Sequence, residues 1–320
     1  MTHEAAEFDD DRTDTAGNNA TDTGGTRRHV ELFAAHRGDL VGAAYRVLGS
    51  VHDAEDVVQD AWLRWSGVDI DTVRMPRAYL LQTVTRLALN RVRDQARRRE
   101  EYIGPWLPEP AVAAEAEHQV ELADDVSMAL LVVLAALSPA ERAAFVLKEV
   151  FGLPYGDIAE ALDRSESAVR QLAHRAKNHV HERAPRYPVS PKTHHEVTVR
   201  FLEAVQNGSV DELLSLMAPD VTLITDGGGI RKAALRPLLG ADNIIRWLFG
   251  VLAKPDVADL EMSLGHVNGQ SAVVAHNGSA IDSVVFFDVD DGLIREGYAI
   301  RNPEKLRHLR LADIRVEREV

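Results

Sequence analysis

The chain has 320 residues, 45% apolar and 27% charged, with a formal net charge of -14 and no cysteine. That length exceeds one ordinary core and suits two or three small domains. The lack of cysteine excludes disulfides, thiol catalysis and thiolate zinc sites, and fits a reducing cytoplasm, while the longest apolar run, Met128 to Leu137, is about half a bilayer span, so a cytoplasmic protein without membrane attachment is expected.

Residues 1–28 are acidic, rich in Thr, Asn and Gly, and lack the apolar stretch of a signal peptide, so they read as a disordered tail. Helical periodicity follows over residues 29–104. In DAEDVVQDAWLRW, Ala54, Val57, Val58, Ala61, Trp62 and Trp65 form one apolar stripe. Glu55, Asp56, Gln59, Asp60 and Arg64 lie opposite, as a solvated face or as a patch for a basic partner. A second helix starts at Pro76, a favoured first helical residue. Leu81, Val84, Ala88 and Val92 make its buried seam, while Arg86, Asn90, Arg93 and Arg97 share another face. Guanidinium groups fork onto phosphates and Asn can bond a base edge, so this face is a candidate DNA surface. Tyr79 and Tyr102 adjoin it and suit stacking on unpaired bases.

Residues 105–126 read as an acidic, proline-containing linker, and the acids from Glu100 to Asp125 meet no Lys or Arg. Residues 127–186 are helical again. Ser138-Pro139 caps one helix, Gly152-Leu153-Pro154 breaks the chain, Tyr155 to Leu162 is short, and Ser165 caps a last helix after the turn at Asp163-Arg164. Val169, Leu172, Ala173, Ala176 and Val180 bury, leaving Ser167, Arg170, Gln171, His174, Arg175 and Lys177 outward, as in a helix lying in a major groove. His174 has no partner that makes a metal site, and neither metal nor cofactor is expected anywhere in the chain.

Three prolines in PRYPVSPK mark the next boundary, and residues 187–320 change class. Helices are predicted near His194 to Gln206 and Val210 to Met217, followed by strands in VTLIT, LEMSLGHV, SAVVAH, SAIDSVVFFDV and GLIREGYAIR. Asn268-Gly269, Asn277-Gly278 and Asp291-Gly292 supply hairpin turns between the last four.

GDLVGAAYRVLGSVHDAEDVVQDAWLRW with PRAYLLQTVTRLALNRVRDQARRR resembles region 2 of the extracytoplasmic-function (ECF) sigma factors of the sigma-70 family. LSPAERAAFVLKEVFGLPYGDIAEALDRSESAVRQLAHRA resembles their region 4. GPWLPEP, DGGG (Asp226 to Gly229) and NPEKL (Asn302 to Leu306) further resemble a subgroup bearing a C-terminal SnoaL-like domain. The resemblance implies a multidomain fold, two all-α DNA-binding domains followed by an α+β cone of the SnoaL and ketosteroid-isomerase type. It implies a non-enzymatic transcription initiation factor whose partners are core RNA polymerase, through the β′ clamp helices and the β subunit, and promoter DNA. Glu55, Asp56, Gln59, Asp60 and Arg64 would dock on the polymerase. The Arg86 face would take the minus-10 element and the Ser167 to Lys177 face the minus-35 element.

The cone implies an apolar pocket and, with it, a small-molecule ligand. Asp226 or Asp282, with His266 or His276, could act there as acid and base, although their spacing forms no dyad. The glycines suit close approach of another segment. Trp106, Pro108, Asp226, Gly227, Gly228, Gly229, Asn302 and Pro303 are therefore expected as contacts through which the extra domain holds the linker and regulates in cis, and replacing Asp226 or Trp106 should change transcription but not the fold. The alternative is a ligand-sensing DNA-binding regulator.

Overall fold

A computed structural model of the chain describes residues 20–112, 126–183 and 189–317. Tail residues 1–19, linker residues 113–125 and the boundary residues 184–188 lie outside them, as does the side chain of Arg97. The first helix, α1 (Ala20–Leu48), begins inside the stretch expected to be tail. It packs on α2 (Val51–Trp65) and α3 (Pro76–Glu100). Ser50 caps α2 by accepting from the Asp53 N–H. The predicted stripe buries Ala54, Val57, Val58, Ala61 and Trp65, and the Trp65 Nε1 donates to the His29 carbonyl at 3.0 Å.

The second helical module contains α4 (Met128–Ala136), α5 (Pro139–Phe145) continued by a π-helical turn over Val146–Val150, α6 (Tyr155–Leu162) and α7 (Glu166–Arg183). Ser138 and Glu141 form a capping box at α5. Asp163 ends α6 in the left-handed region at φ 51°, and Ser165 accepts from the Ala168 N–H at the start of α7. The short helix, turn and capped helix are the predicted helix-turn-helix.

The C-terminal domain starts with α8 (Pro191–Gln206) and α9 (Val210–Leu216), then β1 (Met217–Asp226), β2 (Leu238–Leu239), α10 (Ala241–Leu252), β3 (Glu261–Val267), β4 (Gln270–Asn277), β5 (Ala280–Asp290), β6 (Leu293–Ile300), α11 (Pro303–Leu306) and β7 (Arg315–Glu317). The seven strands form one sheet in the order β2-β1-β6-β5-β4-β3-β7, antiparallel except for the β1–β6 pair. Asn268-Gly269 and Asp291-Gly292 take positive φ at both residues, as a type I′ hairpin needs. At the middle turn the loop is shifted by one: Asn277 stays in β4, and Gly278 takes the positive φ.

Both faces of this sheet are apolar. One carries Val221, Leu223, Val273 and Phe287 against α8, α9 and α10. The other carries Val274, Val284, Phe286, Tyr298 and Ile300, and is covered by Leu107 of the linker and by Met128, Ala129 and Val132 of α4. Leu131 and Leu134, also on α4, belong to a different core, shared by the first two modules. A helix apolar on all sides must be buried on all sides. That is the physical reason for the uninterrupted apolar run at Met128: α4 is the wedge between two cores.

Candidate functional site

The six residues expected to read DNA on α7 are all exposed. Arg170 bonds Glu166 at 2.9 Å and sits 4.3 Å from the centre of the Tyr155 ring. Arg175 pairs with Glu141 and Lys177 with Glu149, at 2.8 and 2.9 Å. Ser167 bonds Ser165, and His174 bonds Asn178 within the same helix. Gln171 stands between them on the open surface. Exposed ion pairs of this kind contribute little, so phosphates can displace the carboxylates at small cost.

The expected minus-10 face is arranged differently. Asn90 and Arg93 are exposed and bonded to each other at 3.2 Å. Arg86 is directed at the second helical module: its Nη2 donates to the Glu160 carbonyl at 2.6 Å and its Nε to the Ala161 carbonyl at 3.2 Å. These are last-turn carbonyls of α6, the negative end of a helix dipole. Beside it, the buried Gln82 amide donates to the Asp157 carbonyl. Arg142 adds a third tie, donating to the Val47 carbonyl of α1 at 2.6 Å and the Ala135 carbonyl of α4 at 2.8 Å. The two DNA-binding modules are latched together, and Arg86 is spent on the latch. Tyr79 and Tyr102, expected to stack on unpaired bases, have partners inside the protein. Tyr79 packs on the Trp65 ring, and Tyr102 hydrogen-bonds Asp226 in the third domain.

On α2, Glu55, Gln59, Asp60 and Arg64 are exposed, while Asp56 is half-buried and bonded to Arg91 of α3 at 2.7 Å. Glu55 and Gln59 line a groove of about 470 Å³ between α1 and α2 that Val30, Phe33 and Trp62 floor. Asp56 therefore holds α2 on α3, and the other four form the open face.

The linker is the centre of the assembly. Residues 101–112 run as an extended strap with polar partners on both sides. Toward the first module, the Glu109 N–H donates to the Gly49 carbonyl at 2.8 Å, its side chain accepts from the Val51 N–H, and its carbonyl accepts from the Tyr45 hydroxyl. Toward the third domain stands Asp226, fully buried. One of its oxygens accepts from the Tyr102 hydroxyl at 2.5 Å and the Gly228 N–H at 3.0 Å. The other accepts from the Leu107 N–H at 2.8 Å and the Lys305 ammonium at 2.6 Å. Lys305 also donates to the Leu107 carbonyl and lies 4.2 Å from the Trp106 ring centre, a cation–π contact. Burial and the Asp226 hydrogen bond raise the Tyr102 pKa well above its ordinary value, which keeps the phenol a donor. Asn302 caps α11 by accepting from the Glu304 N–H and donates to Tyr102 at 2.9 Å, with Pro303 as the first residue of that helix.

The glycines fit the predicted close approach. A Cβ on Gly229 would stand 2.8 Å from Ile103, one on Gly228 2.3 Å from Asn302, and one on Gly227 2.2 Å from the Arg231 carbonyl. Across the strap, a Cβ on Gly49 would meet Trp106 at 2.7 Å and Pro108 at 3.6 Å. Asp226 and Asp282 each sit in an ion pair, Asp226 with Lys305 and Asp282 with Arg301 at 2.9 Å. His276 bonds Ser263, and His266 lies exposed. Among the described residues neither carboxylate has a histidine partner, so the acid–base reading loses its residues.

The sequence reading missed Asn268. Its side chain accepts from the Ala111 N–H at 2.9 Å, donates to the Tyr45 hydroxyl at 2.9 Å and to the Val126 carbonyl at 3.3 Å, and its own N–H donates to the Ala111 carbonyl. One hairpin tip thus touches the first module, the linker and the edge of the second. The signal was present as Asn-Gly, but that pair reads as a turn and nothing more.

Two helical modules with a helix-turn-helix, joined by a strap that a third domain grips, have the architecture of a promoter-specificity factor with an appended α+β cone. Residues 32–98 match the family Sigma-70 region 2 and residues 127–180 the family Sigma-70, region 4. The chain is similar to the ECF RNA polymerase sigma factor SigJ of Mycobacterium tuberculosis, 37% identical over 290 residues, covering 86% of this chain and 92% of that protein. The probable ECF RNA polymerase sigma factor SigI of the same organism is 34% identical over 282 residues, covering 87% and 94%. The crystal structure of SigJ superposes with a TM-score of 0.71 at 34% identity, covering 87% of this chain and 98% of that one. The chain belongs to the ECF sigma factors of the sigma-70 family, non-enzymatic factors of promoter-directed transcription initiation.

Proposed function

We propose that the chain acts in the cytoplasm as an alternative sigma factor whose C-terminal domain restrains it in cis. In this reading its domains are a tail (1–28), region 2 (29–104, with α1 extending back into the tail), the linker (105–126), region 4 (127–186) and the regulatory cone (187–320). Glu55, Gln59, Asp60 and Arg64 dock on the β′ clamp helices of core polymerase, with region 4 toward the β subunit. Asn90, Arg93, Arg97 and, once released, Arg86 take the minus-10 element. Ser167, Arg170, Gln171 and His174, joined by Arg175 and Lys177, take the minus-35 element.

The observation that carries the cis reading is the Arg86 latch, supported behind by the linker clamp. Promoter elements at minus-10 and minus-35 are about 25 base pairs apart, roughly 85 Å of B-DNA at 3.4 Å per base pair. Modules in direct contact cannot reach both. Arg86, bonded to α6, must leave the second module before the first can serve DNA. The C-terminal domain opposes that separation, because Asn268 and α4 tie it to both modules through the strap.

Run-off transcription tests the reading. Purified core polymerase supplied with the full chain is expected to give promoter-specific transcripts, and residues 1–189 are expected to give several-fold more at equal concentration. No core binding and no transcript from either protein would leave a ligand-sensing regulator as the better reading; equal yields would sink the cis restraint.

Opening can be watched directly. The chain has no cysteine, so spin labels at Asp69→Cys and Asn178→Cys, both exposed, report one distance between the modules. A cation at a helix C-terminus contributes about 1 kcal/mol; Arg86→Ala is therefore expected to broaden this distribution toward longer separations. An unchanged distribution would show that Arg86 is no latch.

A further inference from the structure

Arg231, Lys232 and Arg236 fall within six residues of the loop between β1 and α10, and no Asp or Glu lies between Asp226 and Asp242. All three side chains are exposed. Among the described residues none of them has a carboxylate partner, whereas Arg170, Arg175 and Lys177 of α7 each rest on a glutamate. In a chain with 50 acidic residues, a cluster of cations kept clear of every one of them is suited to a negative charge from another molecule.

The loop that carries them is held from within. The Thr225 hydroxyl donates to the Ala234 carbonyl at 3.1 Å and accepts from the Ala234 N–H at 2.7 Å. The Ile230 and Arg231 N–H groups both donate to the Gly227 carbonyl at 3.0 Å. Arg301 reaches across from the end of β6, and its Nη1 donates to the Lys232 carbonyl at 3.1 Å. With its backbone bonded to the cone, the loop presents the three cations from a fixed base, which lowers the ordering cost of binding.

The strap seats this loop beside α3. A Cβ on Gly104 would stand 3.5 Å from the Leu235 side chain, and one on Gly229 2.8 Å from Ile103. Gly104 follows the end of α3 at Glu100 by four residues, and Arg93, exposed on the candidate minus-10 face, precedes that end by seven. At about 1.5 Å per helical residue and at most about 3.6 Å per extended one, Gly104 lies within roughly 25 Å of Arg93, about seven base pairs of B-DNA. One duplex can therefore touch both, and the arrangement holds as long as Asp226 grips the strap.

We propose that Arg231, Lys232 and Arg236 form a further DNA-contact surface, which binds backbone phosphates of the promoter duplex next to the segment on α3. The inference rests on the sigma-factor reading and deepens it: the cone that restrains the two modules also adds affinity for DNA that does not depend on sequence.

Holoenzyme assembled from core polymerase and the full chain, titrated into a fluorescent promoter duplex across a KCl series, tests this by anisotropy. Each phosphate contact contributes about one unit to the slope of log affinity against log salt. Arg231→Ala, Lys232→Ala and Arg236→Ala together are expected to flatten that slope by about three units and to weaken binding at about 0.1 M salt at least about tenfold. The ratio of affinities for promoter and non-promoter duplexes should stay at the parental value, since phosphates carry no sequence. Arg231→Lys with Arg236→Lys keeps the charge and should keep the slope. Lys192→Ala, Arg200→Ala and Lys254→Ala together remove three exposed cations elsewhere on the cone and should leave the slope as it is. A parental slope in the loop variant, or an equal flattening in the second set, would overturn the inference. Weaker binding to core polymerase with an unchanged DNA slope would overturn it too, and would make the loop, with its exposed Ile230 and Leu235, a contact for an acidic protein surface. Failure of the sigma-factor reading is distinguishable, since the parent would then form no promoter complex at all.

Discussion

Asp226→Ala is expected to lower the melting temperature by roughly 10 °C and to release the linker strap. The carboxylate is fully buried and satisfies four donors: Tyr102, Gly228, Leu107 and Lys305. Its removal leaves the buried Lys305 ammonium with the Leu107 carbonyl and two aromatic faces. Breaking one side of a buried pair costs about 3–5 kcal/mol, and in a chain of this size each kcal/mol moves the midpoint by roughly 2–4 °C. From sequence Asp226 stands in a glycine-rich turn with no visible counter-ion, so no stability cost is foreseen there; its four buried partners predict one. A second variant separates charge from shape. Removing both members of a buried pair is often nearly neutral, so Asp226→Ala with Lys305→Met should recover much of the lost midpoint by differential scanning calorimetry. If Asp226→Ala melts with the parent, the pair does not hold the strap.

The second large effect belongs to Asn268. Asn268→Ala removes the acceptor of the Ala111 N–H and the donor to Tyr45 and Val126. A buried group left without a partner costs roughly 1–3 kcal/mol. The residue also has φ 52°, where alanine adds roughly 1–2 kcal/mol of strain. Asn268→Gly keeps the turn and loses only the side chain, so the gap between the two variants measures strain, and the glycine variant alone measures the junction. Both should raise run-off transcription, Ala more than Gly. A glycine variant with parental stability and parental transcription would show that the hairpin tip is only a turn.

Much of the architecture is legible in the sequence because periodicity reports burial. The stripe through Val57 and Trp65, the seam through Leu81 and Val84, and the turn at Asp163-Arg164 follow from local rules. Helix α10 was not anticipated, for it starts at Gly240 with no side-chain cap and lacks the usual start signal. Partners were harder to see than elements. Arg86 on a helix surface suits a phosphate or a row of helix-end carbonyls equally, since both are negative, and nothing local to α3 tells them apart. The wedge α4 announces that it is buried all round, yet not that a sheet more than a hundred residues downstream covers it. The side chains of Asn268, Tyr102 and Lys305 find their partners across 79 to 223 residues of chain, which no local window contains.

The glycines that flank the strap tie the histories of distant segments together. Gly49 leaves room for Trp106, and Gly229 leaves room for Ile103. A larger side chain at either glycine demands a smaller one across from it, so the two walls and the strap can drift only in concert. A chimera that exchanges the C-terminal domain between relatives therefore has to carry residues 101–112 with it, and the exchangeable unit is the cone together with the linker it grips.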